Sequence, residues 1–187
     1  MSTRLMLRDV RLAYAHGLWE KSVPKGADAN AKPKFRVCFI LPPKHPQLKD
    51  IQAAIETEMK AKFGAKWQKV LEAAKASKKS CLRDGDDNEG DGFAGNFFVA
   101  ANSETRPTTF AADKTPVTQD DGVLYSGCYV NASIDIYAFD RVSKGNSAGL
   151  RGVQFLRKGD AFGSGGAADE SEFDEISAPA EDESLMG

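Results

Sequence analysis

At 187 residues the chain is long enough for one domain with a sizeable core and too short for two comfortable ones. Its 25 Lys and Arg nearly balance 27 Asp and Glu, but the last 29 residues hold nine of the acids and none of the bases, so residues 1–158 carry a formal +7. No run approaches the roughly 20 apolar residues of a membrane span, Met1 to Arg11 lacks the apolar stretch of a signal peptide, and Cys38, Cys81 and Cys128 form neither a disulfide framework nor a CxxC metal clip.

These features describe a cytoplasmic protein with reduced thiols, no membrane partner, and a basic body joined to an acidic strap. A basic body attracts phosphate backbones, and an anionic tail can compete for the same surface or be offered to partner proteins.

In chain order, Arg4 to Tyr14 reads as a strand with one wet face, Met6, Val10 and Leu12 alternating with Arg8 and Arg11. Glu20 to Lys34 collects Lys, Pro, Gly, Ala and Asn, the composition of an exposed basic loop. Phe35 to Leu41 is a buried strand that Pro42 and Pro43 stop. Pro46 opens a helix, since proline is tolerated in a first turn and Leu48, Ile51, Ile55, Met59 and Phe63 follow at helical spacing up to Gly64. A second amphipathic helix sets Trp67, Val70, Leu71 and Ala74 on one face, with Lys66, Lys69, Lys75, Lys78 and Lys79 around the rest.

Phe93 to Ala101 reads as a strand, Val123 to Asp140 as a long strand or hairpin, and Leu150 to Arg157 as a last strand. After Gly159 small and acidic residues dominate and cannot bury enough surface to offset their ordering entropy. The expected organisation is a domain over residues 1–158 and a disordered acidic tail over 159–187.

The stretch from Val123 has two unlike faces. Leu124, Cys128, Val130, Ala132, Ile134 and Ile136 share one parity and form core, while Tyr125, Tyr129, Asn131, Ser133, Asp135 and Tyr137 share the other. Aromatic rings among polar groups are what stacking of unpaired bases needs. A half-buried tyrosine with a wet hydroxyl gives the same spacing, and on spacing alone that ordinary reading stands slightly ahead. Phe93 and Phe97 share a side of their strand, with Phe98 on the other.

The stacking candidates are Tyr125, Tyr129 and Phe93, with Trp19 beside the basic loop as an outside one. Lys34, Arg36, Arg83 and Arg106 are the candidates for phosphate contacts.

Chemistry of other kinds finds little support. Asp84 to Asp91 concentrates carboxylates, which opens an alternative reading as a metal-dependent nuclease or recombination enzyme. The spacing is not that of an EF-hand, because Glu89 stands where Gly is required and Gly95 where Glu is required, and an acidic glycine-rich turn is commonly a solvated loop. His16 and His45 neighbour no Cys or Ser in a nucleophile pattern, and no phosphate-cradling glycine motif occurs in a strand-to-helix turn. The expectation is a protein without catalytic residues, cofactor or metal. A second alternative is a non-catalytic adaptor that works through its tail.

Several strings occur together in order: Leu7-Arg8-Asp9-Val10-Arg11-Leu12-Ala13-Tyr14, Leu82-Arg83-Asp84-Gly85-Asp86, Gly92-Phe93-Ala94-Gly95-Asn96-Phe97-Phe98-Val99-Ala100-Ala101, Arg106-Pro107, Leu124-Tyr125-Ser126-Gly127-Cys128-Tyr129-Val130-Asn131-Ala132 and Gly149-Leu150-Arg151-Gly152-Val153-Gln154-Phe155. Together they resemble a family of bacteriophage and prophage single-stranded DNA-binding proteins over essentially the whole body.

The resemblance implies a mainly β fold with inserted helices (α+β), an OB-like and partly open five-stranded barrel. It also implies no catalysis and a role in protecting single strands during phage replication, recombination or repair, in the host bacterial cytoplasm. Duplex DNA is expected to bind more weakly. The tail is similar to acidic C-termini that recruit replication or recombination proteins and shield the groove, but it finishes Ser184-Leu185-Met186-Gly187 without a terminal aromatic. Phe173, Asp174, Glu175 and Ile176 are therefore the candidate partner-binding and autoinhibitory element.

Overall fold

Alternating apolar residues build the strands of the computed structural model, which describes residues 1–24, 26–27 and 29–162. In chain order the elements are β1 (Thr3–Ala13), β2 (Lys21–Ser22), β3 (Lys34–Leu41), α1 (Leu48–Phe63), α2 (Trp67–Ala76), β4 (Leu82–Asp84), β5 (Phe97–Ser103), β6 (Thr108–Phe110), β7 (Tyr129–Phe139) and β8 (Gly145–Arg157). Residues 163–187, with the candidates Phe173, Asp174, Glu175 and Ile176, lie outside the described residues.

Five strands pair in a ring. β1 pairs with β3 and β7, β7 with β8, β8 with β5, and β5 with β3; of these ring pairs all are antiparallel except β5 with β8. This is the five-stranded barrel of an OB-type fold. The ring is thinnest where Ala101 and Asn102 of β5 meet Ala148 and Gly149 of β8.

Ring closure leaves one side chain in two pointing inward. Leu7, Val10, Leu12, Val37, Phe39, Val99, Val130, Ile134, Ile136 and Val153 are buried inside, and Ile51, Ile55 and Met59 of α1 pack into the same core. A fully buried side chain of this size contributes about 1.5–3 kcal/mol. The helices read from the sequence form as expected, α1 ending at Gly64, whose φ of +56° is costly for other residues.

The six residues assigned to the core between Leu124 and Ile136 are all buried. Strand order and register explain three departures from expectation. Met6 is 44% exposed instead of sharing the inner face with Val10, because a bulge between Leu7 and Val10 resets the alternation of β1 and puts Leu7 inside. The strand expected from Phe93 starts only at Phe97; Gly92 and Gly95 take φ values of +82° and +78°, and residues 91–95 form turns. The long strand starts at Tyr129, so Tyr125 belongs to the preceding turn, where Gly127 has φ +110°.

Phe39 lies at the middle of the barrel with no exposed surface. Phe39→Ala is expected to lower stability by about 3–5 kcal/mol. The check is a denaturant melt; an unchanged midpoint would remove Phe39 from the core described above.

Candidate nucleic-acid interface

Register alone assembles a row of side chains across the outside of the barrel. Arg83 of β4 is opposite Phe98 of β5, and Phe98 is opposite Ile40 of β3. Ile40 is opposite Arg11 of β1, Arg11 opposite Tyr129 of β7, and Tyr129 opposite Arg157 of β8. Three arginines thus alternate with apolar and aromatic groups over six strands. Next to this row Cys38 faces Ala13 and Ala100, and Arg36 faces Asn102.

The arginines sit among rings. The Arg157 guanidinium lies 3.7 Å from the Tyr129 ring centre, with Arg11 5.5 Å from the same ring, and Arg83 is 5.9 Å from that of Phe98. Arg157 is paired with Asp9 at 3.0 Å. Among the described residues Arg11, Arg36 and Arg83 form no ion pair; their Nε–H groups donate instead to the carbonyls of Gly127, Ser22 and Ser80. Burial, and then the charge of Arg83, lowers the pKa of Arg36. Burial pushes the Cys38 thiol up to about 12, so no thiolate neutralises the two guanidiniums beside it. Cations crowded without a carboxylate form a site for an arriving anion.

A strap after β8 crosses this face. The Tyr125 hydroxyl donates to the Gly159 carbonyl at 2.8 Å and accepts from the Gly159 N–H at 3.2 Å. Arg11 Nη2 donates to the Asp160 carbonyl at 2.7 Å, and the Phe162 N–H donates to the Ser126 carbonyl at 3.0 Å. The Phe162 ring centre is 4.4 Å from the Arg11 guanidinium carbon. Gly92 makes room for that ring, since a Cβ there would lie 2.7 Å from it.

The residues expected from the sequence divide among several places. Arg83 and Tyr129 lie in the row, Arg36 lies beside it, and Tyr125 holds the strap. Phe93 is only 1% exposed: its ring is edge-on to Phe98 at 5.0 Å and stacked with Tyr14 at 5.7 Å, so it lines the floor and offers no open face. Lys34 starts β3 opposite Ser22, away from the row. Arg106 stands apart too, over the Trp19 ring at 4.8 Å, which joins two candidates at the loop end of the barrel.

Arg11, Phe98 and Phe162 were not among the expected site residues. Arg11 was visible as the wet side of a strand, but nothing in the sequence shows that its neighbours are Tyr129 and Ile40. Two carboxylates of the 84–91 loop bond backbone N–H groups: Asp84 accepts from the Asp86 N–H and Asp86 from the Gly95 N–H. Among the described residues no group of three or more His, Cys, Asp or Glu is arranged to hold a metal ion.

Residues 3–185 match the model of a family described as Enterobacter phage Enc34, ssDNA-binding protein. The chain belongs to this family. A putative protein p50 of Acyrthosiphon pisum secondary endosymbiont phage 1 is 40% identical over 185 residues, which cover 97% of this chain and 98% of that one. In fold the chain is similar to the single-stranded DNA-binding protein of bacteriophage Enc34 in complex with ssDNA, with a TM-score of 0.69 at 21% identity over 86% of this chain and 89% of that one. It is also similar in fold to gp2.5, a single-stranded DNA binding protein encoded by bacteriophage T7, with a TM-score of 0.58 at 11% identity over 96% and 98% of the two chains.

The raised thiol of Cys38 has a direct readout. An unperturbed cysteine titrates near 8.5, so at pH 8.5 the native chain is expected to alkylate at Cys38 about a hundredfold or more slowly than the unfolded chain, because only the thiolate reacts. Equal rates would show an exposed thiolate and a different charge balance on this face.

Proposed function

We propose that this chain is a sequence-tolerant single-stranded DNA-binding protein that sequesters the strand on the Arg83–Arg157 row and performs no chemistry on it. The observation that carries the reading is the row itself: three guanidiniums, of which Arg11 and Arg83 have no carboxylate partner among the described residues and Arg157 has Asp9, set among Phe98, Ile40 and Tyr129. Arginines track the phosphates, while bases stack on Tyr129 and on the guanidinium plane of Arg157. Phage replication, recombination or repair in the host bacterial cytoplasm is where such a protein acts. Stacking on these rings needs bases that are not already paired, which favours single strands over duplex.

The strap gives the tail a place in this mechanism. It holds Arg11 through Asp160 and Phe162, and sequence beyond it adds eight more acidic residues and no base. In this reading the acidic tail competes with DNA for the same surface, and Phe173 to Ile176 serve replication or recombination proteins. Removing the strap should expose Arg11 and the floor formed by Ile40 and Phe93.

Anisotropy titrations of oligo-dT, with its duplex and with magnesium present or absent, test the reading. With four or five phosphates neutralised, log K against log salt is expected to slope near −3, at about −0.7 per phosphate. Arg83→Ala should flatten the slope by about 0.7, and Tyr129→Ala should cost about 1–3 kcal/mol of binding. A flat salt response, or cutting that depends on magnesium, would sink the proposal.

For the tail, both a chain ending at Lys158 and Phe162→Ala in the full chain are expected to bind oligo-dT more tightly, most clearly at low salt. Weaker binding by Phe162→Ala would mean that this ring stacks on DNA instead of shielding its site.

A further inference from the structure

We propose that Asp9 is a positioning residue: it fixes Arg157 as a flat plate over the Tyr129 ring for a base to stack on, and takes that guanidinium out of phosphate binding. The inference rests on the single-stranded DNA-binding reading above and gives one arginine of the row a different task from the others.

Asp9 stands in the β1 bulge at φ +56°, a conformation that strains most residues and that Asp and Asn tolerate better than others. Its N–H donates to Asn131 Oδ1 at 3.0 Å, and its side chain reaches past β7 to the end of β8. There Oδ1 accepts from Arg157 Nε at 3.1 Å and lies 3.0 Å from Nη2. An arginine grips a phosphate through two neighbouring N–H groups of this kind, and on Arg157 that edge is already taken. Arg11 and Arg83 differ, since their Nε–H groups donate to carbonyls and no carboxylate pairs with them among the described residues.

Both side chains of the pair are about half exposed, and a surface pair adds little to stability. Its consequence is orientation. The Arg157 guanidinium carbon lies 3.7 Å from the Tyr129 ring centre, which is van der Waals contact, while that of Arg11 stays at 5.5 Å. Two cations beside one ring repel each other, and the Asp9 charge offsets one of them. The Tyr129 face beneath Arg157 is thereby closed, and Gly159 packs on an edge of the same ring, where a Cβ would fall 2.8 Å from it. A base at this end of the row therefore meets the outer face of the guanidinium, which is planar, weakly hydrated and backed by the tyrosine.

The test measures oligo-dT affinity against salt for the full chain and for D9G, D9N, R157K and R157A. Glycine adopts the positive φ but carries no acceptor, whereas asparagine keeps both the conformation and an oxygen for Arg157. At about 1 M salt, where screening leaves mainly the stacking part, D9G, R157K and R157A are expected to bind about fivefold or more weakly than the native chain, and D9N to stay within about threefold of it. R157A should leave the salt slope where it is, since no phosphate contact is lost, and D9G should steepen it by about 0.7 as the freed guanidinium takes up a phosphate. A carboxylate that merely repels DNA gives a different result: D9G and D9N then bind alike, both more tightly than the native chain, and the inference falls. It also falls if R157K matches the native chain while R157A flattens the slope by about 0.7, the mark of a phosphate contact. The two Arg157 variants leave the bulge intact, so they decide the matter even if D9G fails to fold. A native chain that binds no oligo-dT overturns the parent reading instead.

Discussion

The bulge in β1 decides which way Arg11 points, and the outer face depends on it. Leu7 faces the core, so strict alternation would send residue 11 inward as well. The extra residue between Leu7 and Val10 resets the count: Val10 and Leu12 go in, and Arg11 comes out between Ile40 and Tyr129. The backbone there is held from several sides. Asp9, at φ +56°, donates its N–H to Asn131 and receives Arg157 on its carboxylate. Gln47 accepts from the Arg8 N–H and donates to the Met6 carbonyl, while His45 bonds the Arg8 carbonyl. The turn before α1 thus braces the bulge that orients the central arginine of the row.

Once Arg11 is outside, the electrostatics of the face follow. A barrel strand with an arginine on its wet side is ordinary; three strands that bring Arg11, Arg36 and Arg83 together without a carboxylate are not. The available carboxylates are used elsewhere, Asp135 by Arg4 and Arg151 on the far half of β7, and Asp84 and Asp86 by backbone N–H groups. Surface pairs of that kind contribute little to stability. Their effect on this face is to leave Arg11, Arg36 and Arg83 without a carboxylate partner among the described residues, which is what the DNA-binding reading proposed above draws on.

Much of this was legible in the sequence because it is periodic. The α1 pattern from Leu48 to Phe63 and the parity of Val130 to Ile136 predict their elements and buried faces directly. What periodicity cannot carry is an interruption or a pairing. The alternating string predicts Met6 inside because a bulge is invisible in it, and predicts Phe93 on a strand because Gly92 and Gly95 look like tolerated small residues. Both take positive φ and turn the chain instead. Tyr129 was found by its parity, yet Arg11 and Arg157, its neighbours on either side, come from sequence positions 118 residues before and 28 after it. Phe162 was missed for a compositional reason: it sits in small, acidic sequence that predicts no packing, and only Gly92 opposite makes room for it.

In the competing role proposed for it, a strap in this position has to be weak. Gly159 follows β8 almost directly, so the strap is tethered beside Arg11 at an effective concentration of about 1 mM or more. Two hydrogen bonds to one tyrosine hydroxyl, one to Arg11 and a ring over its guanidinium suffice to close it at that concentration without high intrinsic affinity. If it is closed about 90% of the time, the apparent DNA affinity falls about tenfold, since only the open fraction binds. A tighter strap would tax binding further without adding discrimination, while a looser one would leave Arg11 uncovered when no DNA is present.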